Sequence, residues 1–237
     1  MSRETLTLAQ AAEHVHLTPN ELRHVAQRGE IEAQRIGDDW RFEHRALDEW
    51  AQRNLLAANG RELAEQHRVM MDEDRRAHRG GWSVADLFAS AAIELGVQAR
   101  TKAGVVRDMA DLAGRSGLVY DPDGLYAELA EREAAASTAV EGGAAFLHPR
   151  FHDPYLFESA FIGYGRSERP IYFGAPDGEP TRHFFLVGST DHEMHLHVLA
   201  RLAMLAHRTD LLARLDAAGD ADAVVAAVRE CEGELAR

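Results

Sequence analysis

Between Asn59-Gly60 and Gly80-Gly81 the chain reads RELAEQHRVMMDEDRRAHR, where Leu63, His67, Met70 and Met71 make only a thin apolar stripe. A helix so polar over most of its surface has little to offer a core, so it reads as a solvated linker helix or, paired with its copy, as a dimerisation helix. The apolar residues of a 237-residue chain that is 46% hydrophobic must then collect on either side of it. The expected division is residues 1–58, a linker helix over 59–81, and a larger domain over 82–237.

The first segment carries two helix-start signals. Thr7 followed by Gln10 forms a capping box ahead of LAQAAEHVH, and Thr18 with Pro19 and Glu21 opens PNELRHVAQR, which Gly29 closes. EAQRI and WRFEH then read as two strands joined at Gly37 to Asp39, and RALDEWAQRNLL returns to helical spacing through Leu47 and Trp50.

Helix, turn, helix, wing, helix, in that order over Leu6 to Trp50, resembles the excisionase/MerR-like winged helix-turn-helix family. The resemblance implies DNA as partner, with the second helix in the major groove. Carried over by position, Asn20, Arg23, His24 and Gln27 would face base edges or phosphates, and Arg28, Arg35 and Arg41 would contact phosphates. Over residues 1–60, seven arginines against ten acidic side chains leave a net charge of −3. A DNA reader with that balance has to group its arginines on one face, and a homodimer would double its phosphate contacts. The alternative is a winged fold turned to protein interaction.

Beyond Trp82 helical and strand patterns alternate. SVADLFASAAIELG and TKAGVVRDMADLAGRSG read as amphipathic helices, and Asp121-Pro122 starts a third, GLYAELAEREAAA. AAFL, ESAFIGYG, PIYFG and RHFFLVGS read as four short strands, after which HLHVLARLAMLA and ADAVVAAVREC are helical again. The overall class is therefore α/β: an N-terminal winged helix-turn-helix, then a layered α/β domain whose mixed sheet is flanked by helices.

Three ordered motifs over Ser83 to Leu235 resemble the phosphotransferase-system enzyme IIA domain of the fructose/mannitol/nitrogen-regulatory class. EREAAASTAVEGGAAFLHPR looks like that family's segment leading to its phosphorylated histidine; IYFGAPDGEPTRHFFLV and HLHVLARLA look like the strands and helix that follow. The resemblance implies His148 as phosphate acceptor, His195 as the second active-site histidine, and Arg132 as the guanidinium that neutralises the transferring group. Ser137 and Thr138 would be hydroxyl donors to phosphate, and His195 would lie at a helix start whose backbone N–H groups favour an anion. It also implies a histidine-containing phosphocarrier protein as partner and, for an uptake carrier, a IIB component. The family pattern places proline before the reactive histidine and a small residue after it; this chain has Leu147 and Pro149. Pro149 removes a backbone N–H beside the phosphate site.

No cofactor or metal is expected. DHEMHLH carries His192, His195 and His197 but not the H-E-x-x-H spacing, and His183 reads as structural. Cys231 is the single cysteine, which gives no disulfide framework. No window is apolar enough for a membrane span and no secretory leader is legible, so the reading is cytoplasmic, with no membrane partner. Together the two resemblances suggest a phosphorylation-responsive transcriptional regulator in which phosphate on His148 modulates DNA binding. The alternatives are a IIA phosphocarrier for sugar uptake and a IIA-like interaction or sensor domain that is not phosphorylated.

Overall fold

The computed structural model describes residues 5–37, 39–57, 83–150 and 156–235. The chain divides into two compact units, Met1–Ala77 and His78–Arg237. The linker-helix reading for 59–81 lies outside the described residues.

In the first unit α1 (Leu8–His14) and α2 (Pro19–Gln27) both start with the capping boxes that the sequence carries: the Gln10 amide donates to Thr7 Oγ1 at 3.3 Å, and the Glu21 amide donates to Thr18 Oγ1 at 3.3 Å. β2 (Ala33–Ile36) and β3 (Asp39–Glu43) form the wing hairpin, and α3 (His44–Ala57) follows. A strand the sequence reading missed, β1 (Thr5–Thr7), pairs with the other side of β3, giving the order β1-β3-β2. Ala11, Ala12, Leu22, Val25, Ile31, Phe42, Leu47 and Trp50 make the core of this unit.

The second unit is a five-stranded mixed sheet in the order β4-β7-β8-β6-β5 with helices on it: β4 (Phe88–Val97), α4 (Lys102–Arg115), α5 (Pro122–Ala135), β5 (Ala139–Val140), β6 (Ala144–Leu147), β7 (Phe161–Ile171), β8 (Thr181–Gly188), α6 (His192–Arg208), α7 (Leu211–Ala217) and α8 (Ala221–Leu235). The expected helix over SVADLFASAAIELG is instead a short 3-10 turn, Val84–Leu87, running into β4. β4 is an edge strand whose parallel pairing with β7 shifts register twice, between Phe88 and Ile93 and between Glu94 and Val97. Each shift breaks the two-residue alternation, so the buried positions Phe88, Ala92 and Val97 fall at intervals that imitate a helix. ESAFIGYG and PIYFG likewise merge into one strand, β7, interrupted by a register shift between Arg166 and Ile171 where Pro170 is tolerated.

α4 and α5 bury Val105, Met109, Leu112, Leu125 and Leu129 against Leu147, Phe161, Phe184 and Leu186. Gly165 lets α4 approach β7 closely: a Cβ there would sit 2.5 Å from Met109 Sδ. On the other face Phe146 and Tyr164 pack around Phe185, with Phe88 edge-on to the same ring. Among the described residues no helix is long and apolar enough to cross a membrane.

Candidate functional site

β6 is a four-residue strand entered from a tight hairpin. Gly142 and Gly143, at φ +88° and +92°, turn the chain from β5 into β6 in a conformation that side chains with a Cβ resist. β6 then runs parallel to β8 in register Phe146 to Phe185 and Leu147 to Leu186, and the chain leaves the sheet at His148. The imidazole emerges at a fixed point, but it is completely buried, and Pro149 is buried beside it.

The hydrogen bonds of that ring assign its protons. Nδ1 lies 2.7 Å from the Phe146 carbonyl, which can only accept, so Nδ1 carries the hydrogen and Nε2 holds the lone pair. Arg132 Nε donates to Nε2 at 3.0 Å. The same guanidinium donates through Nη1 to the Ala136 carbonyl at 2.8 Å, which fixes it at the end of its own helix α5. The His195 ring stands 5.1 Å from that of His148 at 64°, an edge contact. The structure thus brings together the three residues His148, Arg132 and His195: a nucleophilic nitrogen, a fork-shaped cation directed at it, and a second imidazole.

Ser137 Oγ donates to the Phe173 carbonyl at 2.9 Å and Thr138 Oγ1 donates to Glu133 Oε2 at 2.5 Å, so in this structure both hydroxyls are turned to protein acceptors. α6 begins at His192, with the Asp191 side chain accepting from the Met194 amide at 2.8 Å. The His195 amide already donates to the Asp191 carbonyl at 3.2 Å, so His195 contributes a ring to the site and no spare backbone donor.

Glu133 is the residue that the sequence reading passed over. Only 4% exposed, it accepts from the Thr138 amide at 3.1 and 3.0 Å, from the Thr138 hydroxyl, and from Lys102 Nζ at 2.6 Å. The ERE…ST spacing is therefore a turn lock: consecutive residues Arg132 and Glu133 hold Ala136 and Thr138 on either side of Ser137. An acidic residue at a helix end followed by threonine five places on was the available signal.

In the first unit Asn20, Arg23, His24 and Gln27 on α2 and Arg28 at its C-cap are all exposed, opposite buried Leu22, Val25 and Ala26. Arg23 Nη1 donates to Asn20 Oδ1 at 3.0 Å. Arg28 is paired with Glu30, whose carboxylate raises the Arg28 pKa and blunts the charge it presents. The wing does not group its arginines: Arg35 pairs across the hairpin with Trp40 and Gln34 with Arg41, so alternation sends Arg35 and Arg41 to opposite faces. Arg35 donates to the Gly37 carbonyl at 3.1 Å, at the tip.

A buried histidine at the end of a sheet strand, bridged to an arginine and edged by a second histidine, on this five-stranded sheet, defines a IIA-type phosphotransferase domain carried behind a helix-turn-helix unit. The chain belongs to the family described as phosphoenolpyruvate-dependent sugar phosphotransferase system, EIIA 2, whose model matches residues 86–231. A helix-turn-helix domain model matches residues 5–55. Among similar proteins, a nitrogen regulatory protein of Bradyrhizobium diazoefficiens is 31% identical over 147 residues, covering 60% of this chain and 91% of the relative. A fructose-specific EIIA component of Haloferax volcanii is 31% identical over 117 residues, 48% of this chain and 74% of its own length. The fold of the second unit matches the nitrogen regulatory protein IIA-Ntr of Neisseria meningitidis with a TM-score of 0.56 at 22% identity, over 61% of this chain and 98% of that one. It also matches IIA mannitol of Escherichia coli with a TM-score of 0.51 at 19% identity, over 58% and 96%.

Proposed function

We propose that His148 accepts a phosphoryl group on Nε2 from a phosphohistidine carrier protein, and that the charge so added alters DNA binding by the winged unit. The observation that carries this reading is the proton placement on His148: with Nδ1–H held by the Phe146 carbonyl, the lone pair on Nε2 is the nucleophile. In the transfer, that pair attacks phosphorus as the P–N bond of the donor breaks, and the donor imidazole leaves with the bonding electrons. Arg132 Nε–H, which donates to Nε2 at rest, shifts to a phosphoryl oxygen, and the Nδ1 proton stays where it is. No proton is abstracted, so catalysis is positioning and charge neutralisation.

The phosphoryl group brings about −1.5 to −2 of charge at neutral pH. On a chain of formal charge −13 that increment adds to the repulsion from a nucleic acid surface. In this reading Asn20, Arg23, His24 and Gln27 of α2 read base edges or phosphates, and Arg35 at the wing tip touches the backbone. The test is intact mass after incubation with phosphoenolpyruvate, enzyme I and the carrier protein. One phosphoryl group is expected on the wild type and none on His148→Ala, with DNA affinity then compared between the verified phosphoprotein and the unmodified form. Equal affinity in the two forms sinks the coupling.

Complete burial of His148 beside the buried Pro149 favours a second reading, a IIA fold retained for protein interaction without phosphorylation. No mass gain in the presence of a labelled IIA control would select it. The IIA mannitol of Escherichia coli is known in complex with phosphorylated IIB; fast passage of phosphate to a IIB protein would make this chain an uptake carrier instead.

A further inference from the structure

We infer that Lys102 and Glu133 are positioning residues for His148, setting both the tautomer of its ring and the placement of Arg132. The inference deepens the phosphotransfer reading, on which its kinetic half rests.

Two hydrogen-bond partners of the His148 ring, Arg132 and the Phe146 carbonyl, trace back to one turn, residues 136–138. Arg132, which contacts Nε2, is held by the Ala136 carbonyl. Phe146, whose carbonyl holds Nδ1–H, is itself tied by its amide to the Thr138 carbonyl at 3.0 Å. The side chain that pins this turn is Glu133, through the Thr138 amide and hydroxyl. If the turn shifts, the donor at Nε2 and the acceptor at Nδ1 move together.

Glu133 holds the turn through three donors at once, the Thr138 amide, the Thr138 hydroxyl and the Lys102 ammonium. A carboxylate that is 4% exposed needs a countercharge close by. Lys102 supplies it at 2.6 Å from the first turn of α4, about a third exposed, with its ammonium also 5.0 Å from the centre of the Phe173 ring. Phe173 is the residue whose carbonyl receives Ser137 Oγ, so Lys102 contacts two residues, Glu133 and Phe173, that each bond the turn. Lys102 is the single lysine in a chain whose other cationic side chains are arginine. The site suits that choice: the Thr138 amide and hydroxyl already occupy the carboxylate, leaving room for a point charge where an arginine fork would need two free acceptor directions.

Neither residue touches the reacting atoms, so the test separates position from chemistry. The full chain, labelled with nitrogen-15, is observed by long-range proton–nitrogen correlation of its imidazoles, with the His148 signals identified by their loss in His148→Ala. The wild type is expected to show the Nδ1–H tautomer. In Lys102→Met the signals should move toward a mixture of tautomers, and kcat for phosphoryl uptake should fall on the order of tenfold with KM for the carrier protein unchanged. A folded Lys102→Met protein with wild-type tautomer and kcat overturns the inference. Should that variant unfold, Glu133→Gln, which keeps the shape and removes the charge, is read by the same two measurements. If the wild type takes up no phosphate, the phosphotransfer reading fails, and the tautomer signals alone decide the inference.

Discussion

The two units place their polar side chains in opposite ways. In the helix-turn-helix unit Asn20, Arg23, His24 and Gln27 stand exposed on α2 with Arg28 just beyond it, and the bonds of Arg23 to Asn20 and of Arg28 to Glu30 are local. In the IIA unit Arg132, Glu133, His148 and His195 are buried and bonded through one another and through the backbone. A surface reader can lose a residue and keep its fold, whereas a buried relay ties fold and site together. The same contrast separates what can vary freely in such a chain from what cannot.

That contrast can be broken by substitution and by pH. The largest effect is expected at His183, buried on β8 with Nδ1 2.8 Å from the Tyr164 hydroxyl. Burial lowers its pKa to about 4, against the opposing pull of Asp216. Between the unfolded value near 6.5 and that value the unfolded chain takes up a proton that the folded one refuses, so stability falls as pH drops through this window. The loss totals roughly 3 kcal/mol. Denaturant titrations from pH 7 to pH 4 should show the slope for the IIA unit, and it should flatten in His183→Gln; an unchanged slope would remove His183 from the account.

Next comes Arg132→Ala. It removes a donor from the buried Nε2 of His148 and from the Ala136 carbonyl, and should cost about 1–3 kcal/mol by chemical denaturation, even before phosphate uptake is measured. Smallest in stability is Arg23→Ala, expected to stay within about 0.5 kcal/mol because the side chain is exposed. Its signature is elsewhere: DNA affinity should weaken, and if the contact is to phosphate the slope of log K against log salt should fall by about one. A large loss of stability in Arg23→Ala would erase the distinction between the units.

Local chemistry made much of this legible in the sequence. Both capping boxes were visible because threonine and its partner three residues on satisfy each other without help from the rest of the fold. AAFL and RHFFLVG could be read as strands because β6 and β8 are interior strands, buried at every position but Arg182. β4 could not, since its bulged edge pairing replaced the strand alternation with a helical one. β1 is three residues long and takes its definition from β3. At the site, ordered motifs pointed to His148, Arg132 and His195, which the fold brings together, but spacing did not show that the Ser137 and Thr138 hydroxyls bond the Phe173 carbonyl and the Glu133 carboxylate. Whether a hydroxyl faces a ligand or the Glu133 carboxylate depends on a turn that spacing alone does not describe.

The strand order also has a consequence in time. His148 is carried by β6, and β6 takes its parallel partner from β8, which comes later in the chain, after β7. Parallel pairings across long separations form slowly, because loop closure precedes the reward of contact. The helix-turn-helix unit, built from neighbours in sequence, can assemble as it is synthesised. The histidine must wait for residues 181–188, so a newly made chain has a folded helix-turn-helix unit before His148 is in place on its sheet.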